Sequence, residues 1–303
     1  SEALKADFSR GVVLLHQLRT SEVEAVIAGL ERDGSDEAVA AAALLRASLC
    51  DLSEDDAGAE QQARTSIAAF RAAGCPVMAS RVETNLARAL LHLGRLDEAE
   101  VLFRKAPRFT NDLLRAELLV LTGAFAEAVA LTRHALARRE STYHLAQYTA
   151  GLARGAWVFL RAGQIALASS CLTAQRQLPV TGVLGAVRQV TSRALLALLE
   201  EGPAAAWPYA VEARRIAASR GLHPWITEVA VLQAELRWAL DDLPGAAAAL
   251  EDAVVGRRPL IVVPAALLLA ETRLAEMARR VESALDRLAP RELVEALDRR
   301  FDG

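Results

Sequence analysis

The residues of this chain that could do chemistry are scattered rather than clustered. The 5 histidines (His16, His92, His134, His144 and His223) lack metal-ligand spacing. His134 and His144 stand ten positions apart with no third ligand beside them. Ordinary surface or helix-end placement is the expectation for each. The 3 cysteines, Cys50, Cys75 and Cys171, are far apart, odd in number and form no CxxC. They read as small buried residues of a reducing compartment. The acid pairs Asp55-Asp56, Glu200-Glu201 and Asp241-Asp242 fall at breaks between helical segments. There, N-terminal capping and solvation are their ordinary use, and catalysis the less favoured one. No phosphate loop, dinucleotide turn, HExxH or GxSxG occurs. The sequence thus predicts no catalytic residue, no metal and no cofactor, and a protein that is not an enzyme. The chemistry that remains is that of arginine. Lys5 and Lys105 are the only lysines among 35 basic residues. Guanidinium groups bind carboxylates bidentately and stack on indole rings. Which arginines can act together depends on the elements that carry them.

Those elements are helices. Apolar residues make up 53% of the chain, 63 residues are alanine, and aromatics are only 5%. This mixture favours helix and disfavours sheet. Leu86, Leu90 and Leu93, and again Leu195, Leu198 and Leu199, recur at helical spacing. Breakers come often and briefly, at Gly34, Gly74, Gly94, Gly123, Gly163, Gly202 and Gly221 among others. Pro76, Pro203 and Pro290 suit first-turn positions, and Ser21 with Glu24 fits a capping box. Short helices joined by short turns pack as antiparallel neighbours. No linker-like stretch interrupts them, so one domain is expected. The net charge is −3 with both signs interspersed, which argues against direct nucleic-acid binding. No stretch has signal-peptide length and character. The longest apolar run, Pro259 to Ala270, is too short to span a bilayer. A cytoplasmic chain without membrane contact is the expectation.

Small residues repeat with the helix pairs. Ala87 is followed by Ala99 twelve on and Ala106 seven further. The same triple recurs as Ala116, Ala128, Ala135; as Ala194, Ala206, Ala213; and as Ala234, Ala246, Ala253. Ala156 and Ala168 fit, with Gln175 in the third place, and so do Ala47, Ala59 and Ser66. Successive triples start 40, 29, 40, 38 and 40 residues apart. Close crossing of two helix axes requires small side chains at the crossing.

Leu86 to Ala106 (LARALLHLGRLDEAEVLFRKA) resembles a tetratricopeptide repeat, with a small residue, Gly at the turn, Asp-Glu-Ala opening the second helix, an aromatic and Ala. LLVLTGAFAEAVALTRHAL and FLRAGQIALASSCL echo it, and the likeness covers roughly Val39 to Val255. The period near 40 is similar to that of the helical sensor domains of large bacterial transcription activators of the maltose-activator and LuxR type. AAFRAAGCPVMASRVETNLARALLHLGRLDEAE is the segment most like them. LAPREL (Leu288 to Leu293) faintly resembles the opening of a LuxR-type helix-turn-helix, although Pro at the start of a terminal helix is the preferred reading. The resemblance implies an all-α, right-handed superhelix of antiparallel helix pairs, in one domain over 1–303. Within it, 1–34 form an N-terminal cap, 35–258 the repeats and 259–303 C-terminal capping helices. It also implies a module that binds a protein, peptide or effector, as the sensor or adaptor part of a bacterial regulatory system. A homo-oligomer joined through the terminal helices, or less favoured an enzyme on a helical scaffold, is the alternative.

In such a stack the first helix of each pair lines the concave face. Counting from its small residue, inward places lie six, three and two before it and one, four and five after. This phase nominates Arg81, Asn85, Arg88, Arg154, Trp157, Arg161 and Arg188 as a binding surface for an acidic partner. His92, Glu117, Glu228, Glu235 and Trp238 share the phase. The surface resembles the carboxylate clamp of chaperone-binding tetratricopeptide proteins at Asn85 and Arg154, but the Lys and Asn of adjacent repeats are missing. A chaperone partner is therefore not expected.

Overall fold

The computed structural model describes residues 2–105, 109–138, 145–179, 182–254 and 259–287. Among them, fifteen α-helices follow one another in antiparallel pairs. The pairs are α1 (Glu2–His16) with α2 (Thr20–Asp33), α3 (Asp36–Leu52) with α4 (Asp56–Ala72), and α5 (Pro76–His92) with α6 (Leu96–Lys105). Next come α7 (Phe109–Leu121) with α8 (Phe125–Ala137), α9 (Leu145–Arg161) with α10 (Ile165–Arg176), and α11 (Gly182–Glu200) with α12 (Pro203–Ser219). The pair α13 (His223–Ala239) with α14 (Leu243–Val254) follows, and α15 (Pro259–Arg287) packs on α14. No strand occurs among the described residues. None of the described helices is long and apolar enough to cross a membrane.

The turn inside six of the seven pairs is built the same way, while the α11–α12 turn uses Gly202 at φ 97°. One residue takes the left-handed conformation: Leu18, Glu54, Gly94, Gly123, Gly163 and Asp241 have φ between 57° and 81°. The next amide then donates back to a carbonyl five residues earlier, as in Arg95 N to Leu90 O at 2.9 Å and Gln164 N to Phe159 O at 2.7 Å. This closure satisfies otherwise orphaned carbonyls at the end of the first helix. The chain restarts as helix one or two residues later, which leaves no room for a separate capping segment. Here the expected capping box at Ser21 is corrected. The N-cap of α2 is Arg19, whose side chain makes no cap bond. Its guanidinium instead holds Glu22, with Nη2 to Oε2 at 2.6 Å. Pro76 and Pro203 do open α5 and α12, whereas Pro290 lies outside the described residues.

Every described member of the small-residue triples is buried. Ala99, Ala116, Ala128, Ala156, Ala168, Ala194, Ala206, Ala213, Ala246 and Ala253 are each 0% exposed. Ala47, Ala59, Ala87, Ala135 and Ala234 are buried too. Ser66 in the third place satisfies its hydroxyl on Ala40 O at 2.7 Å. Gln175 is fully buried in the same place, and neither end of its amide finds a partner. Gly151 extends the principle on α9. A Cβ there would come within 2.3 Å of the Phe109 ring, so only glycine lets α7 approach so closely.

In the first pair Gly11, Val23 and Leu30 fall at the same spacing and are buried, but only the glycine is small. A Cβ on Gly11 would meet Leu45 at 2.7 Å. Glycine does here what alanine does elsewhere. Helix α15 starts at Pro259, whose fixed φ suits a first turn.

The array also bends far enough to meet itself. Leu18 and Leu52, from the turns closing α1 and α3, pack against Val187, Ala217 and Leu222 of the sixth and seventh pairs, beside Trp225. This apolar contact joins chain segments more than 130 residues apart. It narrows the interior lined by the first helices.

Candidate functional site

Charged side chains on the first helices of several pairs reach one another. Arg88 on α5 reaches Asp51 at the end of α3, Nη2 to Oδ2 at 3.2 Å. Arg154 on α9 reaches Glu117 on α7 at 2.6 Å. Arg161, at the end of α9, reaches Glu235 on α13 at 3.6 Å, skipping α11. The interior is therefore narrow at that level. Arg161 also lies 5.7 Å from the centre of the Trp157 ring. That ring is itself packed against the apolar cluster of Ala116, Leu119, Val120 and Val158. Trp157 is thus both core and platform.

Arg188 on α11 differs from the others. It makes no hydrogen bond or ion pair among the described residues, and its guanidinium rests 5.1 Å from the centre of the Trp225 ring. Burial pulls its pKa down to about 10, and the positive charges of Arg154 and Arg88 push the same way against Glu228 and Asp51. By contrast, many outer arginines are saturated. Arg95 bridges Glu60 and Glu98, and Arg115 bridges Glu100 and Glu127. Burial raises the pKa of Glu235, and Arg161 opposes the rise.

Of the residues nominated from sequence, Arg88 and Arg154 come within electrostatic reach of Arg188. Trp157 and Arg161 form a second group along α9. Arg81 is exposed and Asn85 half-buried, and neither bonds to these groups among the described residues. Three contributors were missed. Trp225 lies nine residues before Ala234, one turn beyond the inward places that were counted. Asp51 and Leu52 lie four and five after Ala47, where the same count applied to that repeat would have found them.

A second cluster stands beside Arg88. His92, at the C-terminus of α5, directs Nδ1 to Asp56 Oδ1 at 3.1 Å and lies 3.6 Å from Asp51 Oδ1. The Asp55-Asp56 pair divides its work. Asp55 caps α4 by accepting from Gly58 N at 3.0 Å, and Asp56, 5% exposed, turns inward. The thiols carry no comparable arrangement. Burial pushes Cys171 up to about 11, which suits a packing role. His144 lies outside the described residues, as does Leu288 to Leu293.

Comparison with known proteins bears on the repeat itself. The sequence model of the tetratricopeptide repeat matches residues 84–110. No curated protein matches the chain. Among solved structures, a Rap protein complexed with competence and sporulation factor shares 11% identity, covering 93% of this chain and 99% of its own, with a TM-score of 0.47. A tetratricopeptide repeat protein from Parabacteroides merdae shares 15% identity over 78% of this chain and 99% of its own, with a TM-score of 0.40. The C-terminal part of a repeat-containing protein from Cytophaga hutchinsonii shares 15% over 82% and 95%, with a TM-score of 0.38. Likeness at this level carries no information on ligands. The matched segment, the recurring left-handed turns and the buried small residues at the crossings together make this chain a tetratricopeptide-repeat-like α-solenoid.

Proposed function

We propose that the chain is a non-enzymatic binding module whose inner face takes an acidic segment of a protein or peptide. The supporting observation is Arg188: a guanidinium stacked on Trp225, pressed by Arg154 and Arg88, and bonded to no acid of its own among the described residues. A bound carboxylate supplies the missing counter-charge, and bidentate geometry with an aromatic backing suits arginine. The self-contact of the array and the Arg161–Glu235 bridge narrow the interior. Its occupant is then an extended segment rather than a folded domain. A role as sensor or adaptor in a bacterial regulatory system belongs to the same proposal and rests on the sequence resemblance alone.

The test is capture of a partner on the immobilised chain, followed by titration with its acidic segment. Each charge-assisted hydrogen bond contributes about 1.5–3 kcal/mol. Arg88→Ala and Arg154→Ala should therefore weaken binding roughly 10- to 100-fold, and added salt should weaken it further. Wild-type affinity in both variants refutes the reading.

One observation favours a second reading, a homo-oligomer through the terminal helix. Leu267, Leu274 and Met277 on α15 are 64%, 66% and 62% exposed and recur at seven- and three-residue steps on one face. Light scattering on the chain and on Leu274→Glu decides it. A monomer in both removes this reading and leaves the binding module untouched.

A further inference from the structure

We propose that Asp51, Asp56 and His92 form a binding site for a divalent transition-metal ion of the zinc class. The argument is independent of the acidic-partner reading. The three donors come from three places in the fold: the last turn of α3, the first residue of α4 and the last residue of α5. Their ligand atoms all lie within 4.8 Å of one another. His92 Nδ1 stands 3.1 Å from Asp56 Oδ1 and 3.6 Å from Asp51 Oδ1. An ion held at about 2.0–2.2 Å in tetrahedral geometry sets its ligands roughly 3.3–3.6 Å apart, so both distances bracket that edge. One imidazole and two carboxylates suit zinc, manganese or ferrous iron, whereas calcium needs more oxygens.

The surroundings fit the assignment. Two carboxylates and a neutral imidazole carry two negative charges, which a divalent ion cancels. Asp56 is buried, while Asp51 and His92 keep a solvent-facing edge through which an ion can enter and a water can complete the coordination. Asp51 offers Oδ1 to the site and Oδ2 to Arg88 at 3.2 Å. That outer contact fixes the carboxylate's orientation, as second-shell partners of metal ligands do. Arg88 also brings a positive charge close by, so the site should be of moderate rather than extreme affinity. Three protein ligands leave at least one coordination position open, the arrangement of an exchangeable site rather than a closed structural one. The competing account is an ion pair in which a protonated His92 bridges the two acids and no metal binds.

The experiment is calorimetric titration of the chelator-treated full chain with zinc chloride and, separately, manganese chloride. Cobalt(II) serves as a spectroscopic probe. The expected result is one equivalent bound with Kd on the order of micromolar, and visible d–d bands on cobalt addition. His92→Gln and Asp56→Asn should weaken binding about 100-fold or more and abolish the bands. Arg88→Gln removes the outer contact and the nearby positive charge together, two effects of opposite sign on a cation, so it should change Kd by less than about 10-fold. His134→Gln should change nothing. Circular dichroism checks the fold of each variant, and Asp51→Asn, at the more exposed ligand, replaces any that fails. A wild-type chain that binds no ion, or a folded His92→Gln chain that binds as the wild type does, overturns the assignment in favour of the ion pair or of adventitious binding elsewhere.

Discussion

Replacing Arg188 by methionine should make the protein more stable and a poorer binder at once. Methionine keeps an unbranched apolar stem against Trp225 and removes the charge. The magnitude follows from the guanidinium's surroundings. Its pKa is pulled down to about 10 because burial and the charges of Arg154 and Arg88 disfavour the charged form. Each unit corresponds to about 1.4 kcal/mol. The full shift would set a ceiling of about 3.5 kcal/mol, and partial exposure to solvent and screening reduce it to about 1–2 kcal/mol. The sign is that of a base with a depressed folded-state pKa. The unfolded chain holds the proton more tightly, so stability rises with pH as it climbs above about 10, and at pH 7 the penalty is fully present. Arg188→Met should therefore raise the melting temperature by roughly 2–5 °C at neutral pH. Differential scanning calorimetry at pH 7 reads this directly, and titration with an acidic partner segment reads the accompanying loss of affinity. An unchanged or lower melting temperature would show that Arg188 is compensated in the free protein. The case for an anion-seeking site would then lose its main support.

Other consequences can be checked in the same way. Ala99→Leu and Ala128→Leu place three extra carbons at helix crossings that are 0% exposed, and each should cost about 1–3 kcal/mol in a thermal or urea series. Gly29 lies within α2, where an added Cβ would meet nothing within 4 Å, whereas Gly94 sits at φ +75. Gly29→Ala should thus stabilise by about 0.5–1 kcal/mol, and Gly94→Ala should destabilise by about 1–2 kcal/mol through backbone strain alone. Glu235 has a raised pKa from burial, partly offset by Arg161. Its contribution is present below the ordinary carboxylate range and is lost as pH rises through the raised value. The advantage of Glu235→Gln over wild type should therefore grow from pH 4 to pH 7 in melting experiments. A constant difference would show that Glu235 titrates as an ordinary solvated carboxylate.

Helix, pairing and crossings were legible in the sequence because they are local. A small residue repeating at twelve and seven positions reports where one helix crosses the next, and Ala87, Ala99, Ala116, Ala128, Ala194 and Ala206 are buried as that spacing requires. The left-handed turn residue is equally local when it is glycine, as at Gly94, Gly123 and Gly163, and less so at Leu18 and Glu54. Phase along each first helix also nominated Arg88, Arg154 and Arg188, and the charges of the first two act on the third. What phase cannot supply is which inner residues meet, because that depends on curvature accumulated over many pairs. Only the tertiary structure brought Leu18 and Leu52 against Val187 and Leu222, set Arg161 on Glu235 across an intervening helix, and seated Arg188 on Trp225. His92 is the clearest case. Its neighbours in sequence are leucines, and its carboxylate partners, 36 and 41 residues upstream, reach it only because α3, α4 and α5 end or begin at one corner.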